Sequence, residues 1–245
     1  MICRVFSAGR RGGFTLAELL VVITVLGILA ALVMGGTQSV IRSGRIAASL
    51  SNMKQLTGAL LTFAVDNNNM LPSSGANIPT WDLQIFPYLG INDGYSGSPS
   101  SPQVKSGLDL KIYRCPLDQR NVDPAKAFYP RSYGITGTAI NFANQNGGIV
   151  GRLPGEGMRL AAVPKPGQYV ILCRVMRAWE SAFNLVGAGA CSAYNGPYLH
   201  VPSEWAAYRP IFGGKVPYGF ADGHVALLNL QEALLVYPVD WDVNK

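Results

Sequence analysis

Few residues in this chain of 245 carry chemistry, and they lie far apart. Asp222 and His224 flank a glycine near the C-terminal end, and a carboxylate beside an imidazole can ligate a metal or move a proton. The same two residues beside a tight turn serve equally as turn formers, and His200, the other histidine, has no recognisable catalytic neighbour in sequence. Asp66-Asn67-Asn68-Asn69 offers oxygen ligands of the kind calcium takes, but the glycine and distal glutamate of an EF-hand loop are missing, and helix capping explains these residues without metal. No nucleophile elbow, phosphate loop or His-Glu-x-x-His motif occurs. The chain is therefore expected not to be an enzyme, and neither metal nor cofactor is expected.

Glu18 is a different case. It is the only ionisable side chain from Leu16 to Gly36, a stretch about as long as a helix needs to cross a ~30 Å hydrocarbon core. Arg4, Arg10 and Arg11 precede it, so the positive-inside bias holds the leader in the cytoplasm and sends the rest across. A carboxylate in an apolar helix costs about 2.5–3.5 kcal/mol at the bilayer centre and less near the edge, so it should have a partner. A position at the cytoplasmic interface near Arg11 is one account of it. An ordinary secretory signal peptide, cut near Ala30-Ala31, is the rival topology. The apolar run is too long for it, Glu18 interrupts the run, and no proline or polar break marks a cleavage zone.

The run Gly13-Phe14-Thr15-Leu16-Ala17-Glu18-Leu19-Leu20, after basic residues and before an apolar helix, resembles the N-terminus of type IV prepilins and type II secretion pseudopilins. The resemblance implies cleavage by a prepilin peptidase between Gly13 and Phe14, N-methylation of Phe14, and pairing of Glu18 with the free amino group of Phe14 on a neighbouring subunit. A buried pair of that kind is sensitive to geometry, because losing one partner strands the other charge. It therefore suits register selection during filament assembly. The expected partners are the peptidase, other pseudopilin subunits, an inner-membrane secretion platform and membrane lipid. The expected location is a single pass through the inner membrane, with the leader cytoplasmic and the C-terminal domain periplasmic.

A second resemblance is to a large bacterial group of pseudopilin-like proteins, carried by Phe220-Ala221-Asp222-Gly223-His224-Val225 with Tyr113-Arg114-Cys115-Pro116-Leu117-Asp118 and Ser132-Tyr133-Gly134-Ile135 upstream. That group usually carries a His separated by nine residues from the C-terminal Asp-Gly, a position held here by Phe212. Together the two resemblances imply a structural subunit of a pseudopilus or type IV pilus-like filament serving type II-like secretion. The alternative is a minor pilin-like binding protein whose exposed loops hold DNA, glycan or an exported substrate.

Composition agrees with a loop-rich domain outside the cytosol: charged residues make up 14%, with 28 Gly and 16 Pro. The leader arginines account for three of the formal +6, so no nucleic-acid partner is expected from charge. Without the leader's Cys3, three cysteines remain, Cys115, Cys173 and Cys191. One disulfide is compatible with that number, and Cys173 with Cys191 closes the shortest loop, but spacing does not rank the three pairings, and buried thiols serve as well.

The elements that must position these residues follow from periodicity. Residues 1–13 read as a cleaved leader, 14–36 as a transmembrane and assembly helix, and 37–245 as a pilin-like domain. Apolar positions continue at helical spacing through Ile46, Leu50, Met53, Leu56, Leu60 and Phe63, which predicts one helix from about Thr15 to about Val65. Gly27, Gly35, Gly36 and Gly44 are points where it could bend. Asn tolerates the left-handed conformation of a C-cap and Pro72 blocks continuation, so the helix should stop at Asp66 to Asn69. Residues 66–167 read as a loop region, with Tyr95–Pro102 its clearest mobile stretch and β-like pieces at Lys111–Arg114 and Ser132–Ile140. Residues 168–245 read as the sheet region: Tyr169–Val175 is a strand, and Asp222-Gly223 between apolar runs predicts a two-residue type I′ hairpin. The fold class is α+β, a long helix packed on a small antiparallel sheet with long irregular loops.

Overall fold

The computed structural model describes residues 13–72, 80–98, 101–105, 107–118, 131–136, 159–163, 165–174, 193–194, 212–233 and 235–236. The first helix, α1, is one element from Leu16 to Asp66. It passes through Gly27 and Gly44 without interruption. Its end is the expected one. Asn68 and Asn69 take φ of 54° and 61°, the Asn69 N–H donates to Ala64 O at 2.8 Å, and the Asn67 side chain donates to Phe63 O at 2.8 Å. The last carbonyls of the helix are satisfied by its own amide-rich turn.

Contacts divide the chain into two units, residues 1–44 and 45–245. In the first unit every described side chain is exposed. In the second, α1 buries Ser49, Met53, Leu56, Thr57, Leu60 and Ala64, a stripe with the three- and four-residue spacing of one helix face. The partners of this stripe include Leu83, Phe86, Tyr113, Tyr133, Ile135 and Leu172, which join it in one apolar cluster. Burial of side chains of this size is worth about 1.5–3 kcal/mol each.

The sheet has the order β5-β3-β4-β6-β7, with β3 Tyr133–Thr136, β4 Val170–Arg174, β5 Ala193–Tyr194, β6 Val216–Phe220 and β7 Val225–Leu228. β3, β4, β6 and β7 are antiparallel neighbours, while the two-residue β5 lies parallel to β3 at the edge. An irregularity between Val170 and Leu172 breaks the alternation of β4. Ile171 and Leu172 join the cluster with α1, while Val170 and Cys173 join a second one with Val216, Tyr218 and Phe220.

Three local expectations are corrected. Tyr95–Pro102 is not simply a loop: β1 Tyr95–Ser98 and β2 Ser101–Val104 pair antiparallel across it. Tyr95 also sets its ring against Phe86, 6.3 Å between centroids, which anchors the hairpin base. Lys111–Tyr113 is a 3-10 turn rather than a β-like piece, because Tyr113 must turn inward, where its hydroxyl donates to Asp82 O at 2.8 Å. The third concerns Asp222-Gly223 and is given with that site.

Candidate assembly and processing segment

Gly13, Phe14 and Thr15 lead into α1, and Phe14 is 86% exposed. The start of the helix is capped reciprocally. The Thr15 backbone N–H donates to Glu18 Oε2 at 2.8 Å, the Thr15 hydroxyl donates to the same oxygen at 2.9 Å, and the Glu18 N–H donates to Thr15 Oγ1 at 3.2 Å. This is a capping box, in which a threonine and a glutamate three residues on satisfy each other's orphan amides. Glu18 therefore has a partner within its own chain. Sequence reasoning quoted Thr15 but gave it no role; the signal was there, as Thr-x-x-Glu ahead of an apolar run.

Beyond this cap, Leu16, Leu19, Leu20, Ile23, Leu26, Ile28, Leu29 and Leu32 are all 53–82% exposed. The helix is long and apolar enough to cross a membrane, and its apolar stretch is not buried among the described residues. An apolar surface of this extent fits a single-pass membrane anchor.

The other candidate groups fall into structural settings. Asp222 and His224 are brought together, but by a local turn. The Gly223 N–H donates to Phe220 O and the Phe220 N–H donates to His224 O, with Gly223 at φ 92°. Asp222 is not among the residues of positive φ, so the turn is not type I′. It is the three-residue hairpin in which a turn is followed by a left-handed glycine. Asp222 Oδ1 accepts from the His224 N–H at 3.1 Å and lies 2.6 Å from His224 Nδ1, and the imidazole stacks on Phe220 at 4.1 Å and 4°. Partial burial opposes ionisation of Asp222, but hydrogen bonds from the His224 backbone and ring outweigh it and hold the carboxyl below its usual value. Among the described residues no three His, Cys, Asp or Glu side chains gather as a metal site.

Cys115 and Cys173 are buried free thiols. Burial pushes the Cys173 thiol up to about 12, and its Sγ lies 3.5 Å from Gly134 O. Cys3, Cys191, His200 and the leader arginines lie outside the described residues. Phe212 is buried, with the Arg174 guanidinium 5.1 Å from its ring centre, so this position is a cation–π platform. Asp66 accepts from the Tyr88 hydroxyl at 3.0 Å beside the cap described above.

Sequence reasoning also missed a buried ion pair. Arg131 Nη1 lies 2.9 Å from Asp82 Oδ2, both side chains are fully buried, and the guanidinium sits 5.6 Å from the Trp81 ring centre. Burial, followed by the Asp82 charge, raises the Tyr113 hydroxyl well above its ordinary value, with Arg131 opposing. No periodicity in the sequence links residues 82 and 131.

Comparison with known proteins bears on one segment. No curated protein and no solved structure matches the chain. Residues 9–34 match the family model described as the prokaryotic N-terminal methylation motif, and the match includes neither the packed half of α1 nor the Phe220–Val225 run. Gly13, Phe14, Thr15 and Glu18 all lie within it, and the chain thus carries a prokaryotic N-terminal methylation motif, the segment that supports a prepilin-type reading.

Proposed function

We propose that the chain is a structural subunit of a pseudopilus or type IV pilus-like filament, serving type II-like protein secretion. The observation that carries this reading is the coincidence of the methylation motif at residues 9–34 with a helix segment long and apolar enough to cross a membrane, whose described side chains are exposed. The precursor inserts with its arginines in the cytoplasm, a prepilin peptidase cuts between Gly13 and Phe14, and the new Phe14 amine is methylated. The uncovered half of α1 then passes from lipid into a bundle of like helices, and the domain from Arg45 onward forms the outer surface.

Glu18 has two successive roles in this scheme. In the precursor it belongs to the capping box with Thr15. After cleavage it is the fifth residue of the mature chain, and its carboxylate pairs with the Phe14 amine of a neighbour.

N-terminal mass spectrometry of the protein made in cells with a prepilin peptidase tests the first step. The mature chain is expected to begin with N-methylated Phe14, and Gly13→Ala is expected to accumulate precursor. An intact Met1, or a new terminus near Leu32, would overturn the reading.

A further inference from the structure

We infer that Arg42 anchors the chain to lipid phosphates in the leaflet opposite Glu18, an inference that rests on α1 spanning a bilayer. Glu18 and Arg42 are successive charges on the helix, with no ionisable side chain between them. Their separation is 42 − 18 = 24 residues, or ~36 Å along a helix rising ~1.5 Å per residue. That exceeds a hydrocarbon core of ~30 Å and falls within the ~40–45 Å reached when both headgroup layers are included. With Glu18 in one headgroup layer, Arg42 lies in the other.

Direction and surroundings agree with this placement. Side chains on an α-helix lean toward its N-terminus, so an arginine just past the span leans back toward the bilayer. The guanidinium offers several N–H donors in a plane that matches phosphate oxygens, and its stem can lie along apolar surface while the charge stays at the headgroups. Thr37, Gln38 and Ser39 occupy the preceding turn, polar residues suited to the interface, and Arg42 itself is exposed. Val40 and Ile41, 71% and 49% exposed, supply apolar surface along which the arginine stem can lie. Glu18 and Arg42 together would hold the helix at one depth. Moving it a turn toward the cytoplasm would draw Arg42 into hydrocarbon, and moving it a turn the other way would draw in Glu18.

The experiment is solid-state NMR on the full-length chain, carrying ¹³C,¹⁵N-arginine, in vesicles of phosphatidylethanolamine and phosphatidylglycerol. Dephasing of the guanidinium carbon by lipid ³¹P reads proximity to phosphate. Native protein should show a dephased fraction that falls by one arginine's share in Arg42→Gln, with Lys54→Gln as an unchanged control. An equal dephased fraction in Arg42→Gln and native protein, with both resisting alkaline carbonate extraction, overturns the anchor and leaves the membrane span standing. Extraction of the native protein by carbonate overturns the span, and the anchor with it.

Discussion

From Leu16 to Leu32, α1 carries large apolar side chains at every angle and leaves them exposed; from Ile46 to Ala64 it buries or half-buries those at three- and four-residue spacing and leaves the opposite face largely exposed. The backbone is the same helix, so the difference lies in what each half must satisfy. A helix that is apolar all round suits lipid or a bundle of its own kind, whereas a striped helix suits one neighbour on one side. The polar side chains sharpen the contrast. In the first half Thr15 and Glu18 bond only to each other, within one turn. In the second, Ser49 Oγ and Tyr133 OH lie 2.9 Å apart, and Asn52 Nδ2 donates to Arg114 O at 3.2 Å, tying the helix to residues far away in sequence.

Cutting the chain between the halves gives the largest expected effect. Residues 41–245 should express as a soluble, folded domain, because they retain the whole buried stripe and lose only the uncovered surface. The full-length chain should require detergent or lipid. Size-exclusion chromatography with circular dichroism checks this, and an aggregated or unfolded 41–245 fragment would show that the first half is needed for more than anchoring.

Within the packed unit, the Asp82–Arg131 pair is the point of greatest sensitivity. Replacing Arg131 with Met should destabilise the fragment by about 3–5 kcal/mol, since it leaves a carboxylate buried without its counter-charge. Asp82→Leu combined with Arg131→Met should recover much of that loss, because a matched apolar pair carries no desolvation penalty. Urea melts of the three proteins decide it. A double replacement no better than Arg131→Met alone would mean that the site's shape matters more than its charges.

The helix–sheet contact is sharpest at two glycines. A Cβ on Gly219 of β6 would meet Thr57 Oγ1 well inside contact distance, and Leu172 Cβ at 3.3 Å. At Gly223 it would meet Leu61 Cδ1 at 3.1 Å, with φ at 92°. Gly219→Ala should cost about 1–3 kcal/mol through overpacking, partly recovered by Thr57→Ala. Gly223→Val should cost at least as much and gain nothing from Thr57→Ala, because its penalty is backbone strain at positive φ. Thermal melts of the two series separate steric from conformational causes, and an equal response to Thr57→Ala would merge them.

What was legible in the sequence follows the range of the interactions involved. The helix, its stripe and its asparagine cap are set by residues within a few positions of one another, and the observed Leu16–Asp66 agrees with the span expected from apolar spacing. The strands at Tyr133, Val170, Val216 and Val225 announce themselves by β-branched and aromatic runs. The Asp-Gly hairpin was legible in place but not in type, since Asp222 can satisfy the His224 amide with its side chain while keeping a negative φ. The β1–β2 hairpin was hidden by its Ser, Gly and Pro content, as its pairing is a backbone matter. The Asp82–Arg131 pair and the parallel β5 depend on contacts across dozens of residues, which local pattern does not encode.

The smallest expected effect is at His224, which shares its hairpin with Gly223. Its side chain and that of Asp222 are 45% and 40% exposed, so the pair between them is largely screened by water. His224→Gln should therefore shift the stability of the 41–245 fragment by no more than about 0.5 kcal/mol at neutral pH. Asp222 adds an acid-side signature. Its carboxyl is held below 3.8 in the folded chain, so its contribution is present above 3.8 and fades as pH falls through the lower folded value. Asp222→Asn should remove that fading, so its melt should lie slightly below the native one at neutral pH and converge with it in acid. Melts from pH 2 to 7, with and without a chelator, read both variants together. A chelator-sensitive melt that becomes insensitive in His224→Gln would establish a metal at the hairpin and set this turn apart from the rest of the sheet.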